Sequence, residues 1–80
     1  MLLKLGDKIA LVTGGSRGIG RETSLVLSQA GAHVIINYHT SREEAEGLRH
    51  EITTQGFKAD TVQADVSDPG EVKKLFEYIQ

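Results

Sequence analysis

Thr13-Gly14-Gly15-Ser16-Arg17-Gly18-Ile19-Gly20 decides how the rest of these 80 residues is read. It follows a short, nearly continuous apolar run, Lys8 to Thr13, and opens into a longer stretch of helical periodicity. An apolar run of that length ending in a glycine loop reads as a buried strand of a parallel sheet. Gly14, Gly18 and Gly20 are spaced G-x-x-x-G-x-G, and each has a physical task. Gly14 lets the chain turn sharply off the strand, Gly18 lets backbone approach a pyrophosphate with no side chain between, and Gly20 lets the helix pack close to the strand. The N–H groups at the helix start, near Gly18 and Ile19, point at the anion, and the helix dipole adds attraction. Glycine spacing alone is a weak signal; a strand before it and a helix after it are the context that gives it meaning. The competing reading is a tight strand-to-helix turn with no ligand.

Working outward, Ile19 to Ala30 predicts a helix on which Ile19, Thr23, Val26, Leu27 and Ala30 share one face. Gly31 supplies a left-handed cap. Ala32 to Tyr38, with Val34-Ile35-Ile36, reads as a second buried strand. Ser41 to Gln55 is a second helix, opened by a Ser41-x-x-Glu44 capping box, with Ala45, Leu48, Ile52 and the stem of Arg49 toward the sheet. Gly47 weakens that helix by up to about 1 kcal/mol relative to alanine, and Gly56 ends it. The acidic run Glu43-Glu44-Ala45-Glu46 suits a solvated helix start. Lys58 to Ala64 is a third strand with Val62 its one strongly apolar member, which suits a sheet edge. Asp68-Pro69-Gly70-Glu71 opens a third helix: aspartate caps, proline takes the first helical position, and glutamate faces the helix start. Val72, Leu75, Phe76 and Ile79 give its apolar face.

The order β-α-β-α-β-α implies an α/β fold with parallel strands and right-handed crossovers. The expected strand order is 3-2-1, the N-terminal half of a Rossmann-type doubly wound sheet, with two helices on one face and the third turning to the other. Residues 1–80 thus read as one partial dinucleotide-binding domain. The helical pattern is still running at Gln80, and one edge of Ile9 to Val12 has no partner. The expectation is a piece of a longer protein, which by itself associates through that apolar edge.

Composition agrees with a small globular domain: 39% hydrophobic and 25% charged residues argue against disorder. A formal charge of −2 with no basic run points away from nucleic acid. There is no cysteine, so disulfides and cysteine-based zinc sites are excluded, and His33, His39 and His50 are too scattered for a metal site. No apolar run is long enough to span a bilayer, and Gly6-Asp7-Lys8 interrupts any signal-like start. A cytoplasmic protein is expected.

The loop Thr13 to Gly20 resembles the T-G-x-x-x-G-x-G signature of short-chain dehydrogenases/reductases. The flanks agree: Asp7-Lys8-Ile9-Ala10-Leu11-Val12 resembles the family's first strand, Gln29-Ala30-Gly31-Ala32 its first helix end, and Ala64-Asp65-Val66-Ser67-Asp68 the segment after its third strand. The match spans nearly the whole chain and is strongest to NADPH-dependent 3-oxoacyl-acyl-carrier-protein reductases and related carbonyl reductases. The resemblance implies the cofactor-binding portion of an oxidoreductase that passes hydride between NADPH and a carbonyl or hydroxyl substrate, a 3-oxoacyl thioester above all. It implies a homo-oligomer and a small-molecule or acyl-carrier substrate, with neither nucleic acid nor membrane as partner. The family's chemistry rests on a serine and on a tyrosine and lysine four apart, with an Asn-Ala-Gly segment. Here Tyr38 is followed four later by Arg42, Tyr78 lies two residues from the end, and Asn-Ala-Gly does not occur. No catalytic residue is assigned, and the chain alone is expected to be inactive. Other readings of the same chain are a non-catalytic nucleotide-binding module and a truncated remnant.

NAD sites place an acidic residue about 20 positions after the glycine motif, on the ribose 2′-hydroxyl. Here the second strand ends Ile36-Asn37-Tyr38-His39, and Asn37, at that location, is neutral and can donate to a 2′-phosphate. Arg17 stands where NADPH-preferring members of the family carry a basic residue, and its guanidinium suits a phosphate monoester. His39, Thr40 and Ser41 add donors, although helix capping competes for Ser41. By resemblance, the Asp65 carboxylate accepts from the adenine amino group and the Val66 backbone contacts the ring. The expected cofactor is NADP(H), with NAD(H) the alternative. The expected contacts are Gly14, Ser16, Arg17, Gly18, Ile19, Gly20, Asn37, Tyr38, His39, Asp65 and Val66. Each has a plainer explanation: a solvated charge for Arg17, a strand-end turn for Asn37, a strand terminator for Asp65.

Overall fold

The computed structural model describes residues 8–14 and 17–79. Gly15 and Ser16, of which Ser16 is an expected cofactor contact, lie outside the described residues. The elements run β1 (Ile9–Thr13), α1 (Gly18–Gln29), β2 (His33–Tyr38), α2 (Arg42–Thr54), β3 (Ala59–Gln63) and α3 (Pro69–Ile79). The three strands form one parallel sheet in the order β1-β2-β3, the expected 3-2-1 arrangement. The strands are a residue or so shorter than the sequence pattern suggests. Their flanks still exchange ladder bonds, from His33 N–H to the Lys8 carbonyl, Val34 N–H to Lys58 and Ala64 N–H to Tyr38.

β2 is central because it is apolar on both faces. Val34, Ile36 and Tyr38 join Val12, Ala59, Ala45, Leu48 and Ile52 in one buried cluster beneath α1 and α2. Ile35, of opposite parity, is buried on the other face. α3 lies on that second face, where Leu75 is buried and shares a groove with Val62. Polar contacts fix the α2 layer: Arg21 of α1 pairs with Glu51, and Glu46 accepts from the Thr61 hydroxyl of β3 and from Arg49.

Both crossover helices end as their glycines predict. Gly31 sits at φ 100° and Gly56 at φ 87°. In α1, Gly31 N–H donates to the Ser28 carbonyl and Ala32 N–H to Leu27; in α2, Gly56 N–H donates to Thr53 and Phe57 N–H to Ile52. This is the paired bonding of a Schellman stop, and Phe57 completes it by packing on the core. α3 starts as expected, with Gly70 N–H donating to the Asp68 carboxylate. Gly47 is helical and exposed, and an added methyl group meets no atom within 4 Å. Gly47→Ala is therefore expected to stabilise the protein by about 0.5–1 kcal/mol, raising Tm by a few degrees. An unchanged or lower Tm in thermal denaturation would contradict this.

α1 departs from the simplest reading of its periodicity. Ile19, Thr23, Val26 and Leu27 do share a face, but Ile19, Thr23 and Val26 are exposed. The buried positions are Ser24 and Ser28, whose hydroxyls donate to the helix's own carbonyls at Gly20 and Leu25. Two small, internally satisfied side chains allow close approach of helix to sheet without burying an unpaired polar group. Among the described residues no helix is long and apolar enough to cross a membrane.

Candidate cofactor site at the C-terminal edge of the sheet

The register places Thr13 beside Asn37 and Asn37 beside Val62. The glycine loop, residues 39–41 and residues 64–67 therefore all leave the same edge of the sheet. In open parallel sheets that edge is where ligands bind.

Gly14 sits at φ 63° and Gly18 at φ 55°, in the left-handed region, and a Cβ on either meets nothing within 4 Å. The left-handed backbone, not a protein neighbour, calls for glycine at both positions. Arg17 is the N-cap of α1 with extended backbone (φ −137°, ψ 154°), and its side chain makes no capping bond. The first turn of α1 holds no acidic residue, whereas α2 opens with Glu43 and Glu44 and α3 with Glu71. The start of α1 is thus kept positive and uncapped among the described residues, which suits an anion such as a pyrophosphate. Ile19 contributes backbone to that turn, and the residue is 86% exposed. Gly20 follows, its carbonyl engaged by Ser24.

The Arg17 guanidinium reaches across to α2, where Nη2 donates to Glu44 Oε1 at 2.8 Å. This corrects the expected capping box. Ser41 does occupy the N-cap position, its carbonyl accepting from Ala45 N–H, but its hydroxyl caps nothing and its backbone lies at φ −88°, ψ 56°. Glu44 is instead bonded to Arg17, and backbone and Arg17 contacts hold its carboxyl below its ordinary value. Arg17, Thr40, Ser41, Arg42, Glu43 and Glu44 line one open recess between the starts of α1 and α2.

Asn37 requires a second correction. It is 2% exposed, and its amide nitrogen donates to the carbonyls of Val62 (3.4 Å) and Ala64 (3.2 Å). Both amide hydrogens are engaged in tying β2 to the end of β3, so the side chain offers no donor to a phosphate. What survives is its neutrality: no carboxylate stands at the end of β2. Tyr38 is likewise a core residue, its ring in the cluster under α2, so only its backbone faces the edge. His39 is exposed, with Nε2 3.9 Å from Asp65 Oδ2. Asp65 Oδ1 accepts from the Ser67 hydroxyl at 2.6 Å and the Ser67 N–H at 2.9 Å, which keep its carboxyl ionised below its ordinary value. Oδ2 is the oxygen near His39, and Val66, the next residue, is exposed.

Sequence reasoning missed Glu44 as the partner of Arg17 and Gln63, whose Nε2 donates to the His39 carbonyl at 3.2 Å. Opposite charges placed at one sheet edge were the available signal for the first. The second carried none.

A short chain dehydrogenase family model matches residues 8–80. Versicolorin reductase of Emericella nidulans is 49% identical over 74 residues, covering 92% of this chain and 28% of that protein. A 3-oxoacyl-[acyl-carrier-protein] reductase of Staphylococcus aureus is 44% identical over 72 residues, covering 90% and 29%. A dehydrogenase/reductase from Sinorhizobium meliloti superposes with a TM-score of 0.91 at 34% identity, covering 96% of this chain and 31% of that one. An alternative dihydrofolate reductase 1 from Brucella canis, complexed with NADP, superposes with a TM-score of 0.83 at 34% identity, covering 91% and 28%. The chain thus spans about three tenths of the length of the relatives it matches. The chain belongs to the short-chain dehydrogenase family.

Proposed function

We propose that residues 1–80 are the NADP(H)-binding portion of an oxidoreductase that moves hydride between NADPH and a carbonyl or hydroxyl substrate, a 3-oxoacyl thioester being the favoured one. The observation that carries the cofactor reading is Arg17: its guanidinium lies in the recess between α1 and α2, with Thr40, Ser41 and Arg42, and no carboxylate ends β2. A phosphate monoester carries up to two negative charges and three acceptor oxygens, which a guanidinium, hydroxyls and a second cation match. The uncapped start of α1 and the bare backbone at Gly18 fit the pyrophosphate of the same molecule. The adenine then reaches Asp65 Oδ2 and the Val66 backbone. The reductases among the relatives, and a structural neighbour complexed with NADP, support this reading.

When bound, the nicotinamide supplies the hydride; the residues of this chain hold and orient the adenosine, its 2′-phosphate and the pyrophosphate. The proton donor and its supporting serine and lysine belong to a later part of the complete enzyme, which we place in the cytoplasm as a homo-oligomer acting on a small-molecule or acyl-carrier substrate. Arg17→Gln in the complete protein is expected to weaken NADPH binding by about 10- to 100-fold, the loss of a charge-assisted hydrogen bond, and NADH binding by far less. Calorimetric titration with both cofactors checks it. NADH binding more tightly than NADPH to the unmodified protein would overturn the assignment.

A further inference from the structure

The Arg17–Glu44 pair places a carboxylate where the incoming phosphate needs a cation. Glu44 Oε1 lies 2.8 Å from Arg17 Nη2, in the same recess as Thr40, Ser41 and Arg42. The pair is open to solvent, with the two side chains 68% and 44% exposed, so it is easily exchanged for another anion. Three charges face Arg17 in this recess: Glu44 directly, Glu43 beside it on the first turn of α2, and the cation Arg42. Backbone and Arg17 contacts hold the Glu44 carboxyl below its ordinary value, so it carries its negative charge in this recess.

We infer that Glu44 is a specificity-determining residue: a built-in competitor that occupies the Arg17 guanidinium and must be displaced by the cofactor's 2′-phosphate, lowering the preference for phosphorylated over unphosphorylated cofactor. The inference rests on the NADP(H) reading above. Displacement costs the Arg17–Glu44 pair and leaves a carboxylate beside a phosphate, two like charges in one shallow recess. Both terms act only on ligands carrying the 2′-phosphate. A cofactor lacking it leaves the pair intact, so Glu44 penalises one ligand and is silent toward the other.

The test is a pair of ligands on the complete protein: adenosine 2′,5′-bisphosphate and adenosine 5′-monophosphate, titrated calorimetrically at low and moderate salt. Glu44→Gln keeps the side chain's size and removes its charge. It is expected to tighten the bisphosphate by about three- to tenfold while moving the monophosphate less than twofold, and added salt should shrink the gain. Glu43→Gln removes the same charge from the same turn, without the contact to Arg17, and should give the smaller effect. A merely structural role for Glu44 would move both ligands together. If the unmodified protein prefers the bisphosphate, Arg17→Gln abolishes that preference, and Glu44→Gln leaves the bisphosphate unchanged or weaker, the competitor role is overturned and the NADP(H) reading stands. If the unmodified protein binds both ligands alike and Arg17→Gln changes neither, both fall together.

Discussion

Asn37→Asp is expected to destabilise the protein by about 3–5 kcal/mol, and to do so before any change in cofactor preference can be read. Looked at only as the residue after which a ribose would sit, Asn37 invites this substitution as a way to favour NADH. The structure changes the expectation. The amide nitrogen donates to two carbonyl oxygens, of Val62 and Ala64, in a site closed to solvent. An aspartate of the same shape sets a carboxylate oxygen against those two carbonyls with nothing to donate. It either remains charged and repelled, or takes up a proton at a free-energy cost and keeps at most one of the two bonds between β2 and the end of β3. Domains of this kind are stable by only about 5–15 kcal/mol, so the variant should show a clearly lower denaturant midpoint. A variant as stable as the parent and shifted toward NADH would mean that the Asn37 side chain faces the cofactor, contrary to the hydrogen bonds described here.

The second large effect is at Gly18. Gly18→Ala is expected to weaken NADPH binding by about 10- to 100-fold while lowering stability by only about 1–2 kcal/mol. The small fold cost follows because a Cβ there meets no protein atom; only the positive φ is strained. The large binding cost follows because the methyl group occupies the space through which a pyrophosphate approaches the α1 start. Gly56→Ala is the matched control. Gly56 also has positive φ and open space, but it closes α2 at the opposite edge of the sheet. Both variants should lose similar stability in thermal denaturation, and only Gly18→Ala should lose the ligand in titration. Equal binding losses, or none at Gly18, would remove the glycine loop from the cofactor site.

How much of this was legible in the sequence follows the range of the interactions involved. The run Val34-Ile35-Ile36, apolar at every position, reads as a buried strand, and it became the central one. Gly31, Gly56 and Asp68-Pro69 act within a few residues of themselves, and their helix ends appeared as expected. Α local pattern failed where a distant partner outbid it. Ser41 and Glu44 have the right spacing to cap α2, yet Arg17, 27 residues earlier in the chain, takes the glutamate. Periodicity on α1 identified residues that share a face without saying which face meets the sheet; the choice fell to Ser24 and Ser28, whose hydroxyls hydrogen-bond within the helix. Asn37 was found at the correct place in the chain, but its partners are carbonyls of β3, and no pattern in β2 reveals them.

The start of α1 has a consequence of another kind. A helix left without a capping side chain forgoes about 1 kcal/mol, and α1 is the helix that packs on both β1 and β2. An anion that binds only the folded chain supplies what is missing, and at a hundred times its dissociation constant adds about 2.7 kcal/mol. For a small domain that difference decides how often it opens to a protease. On the cofactor reading proposed above, the folded lifetime of the protein is expected to lengthen as the supply of cofactor rises.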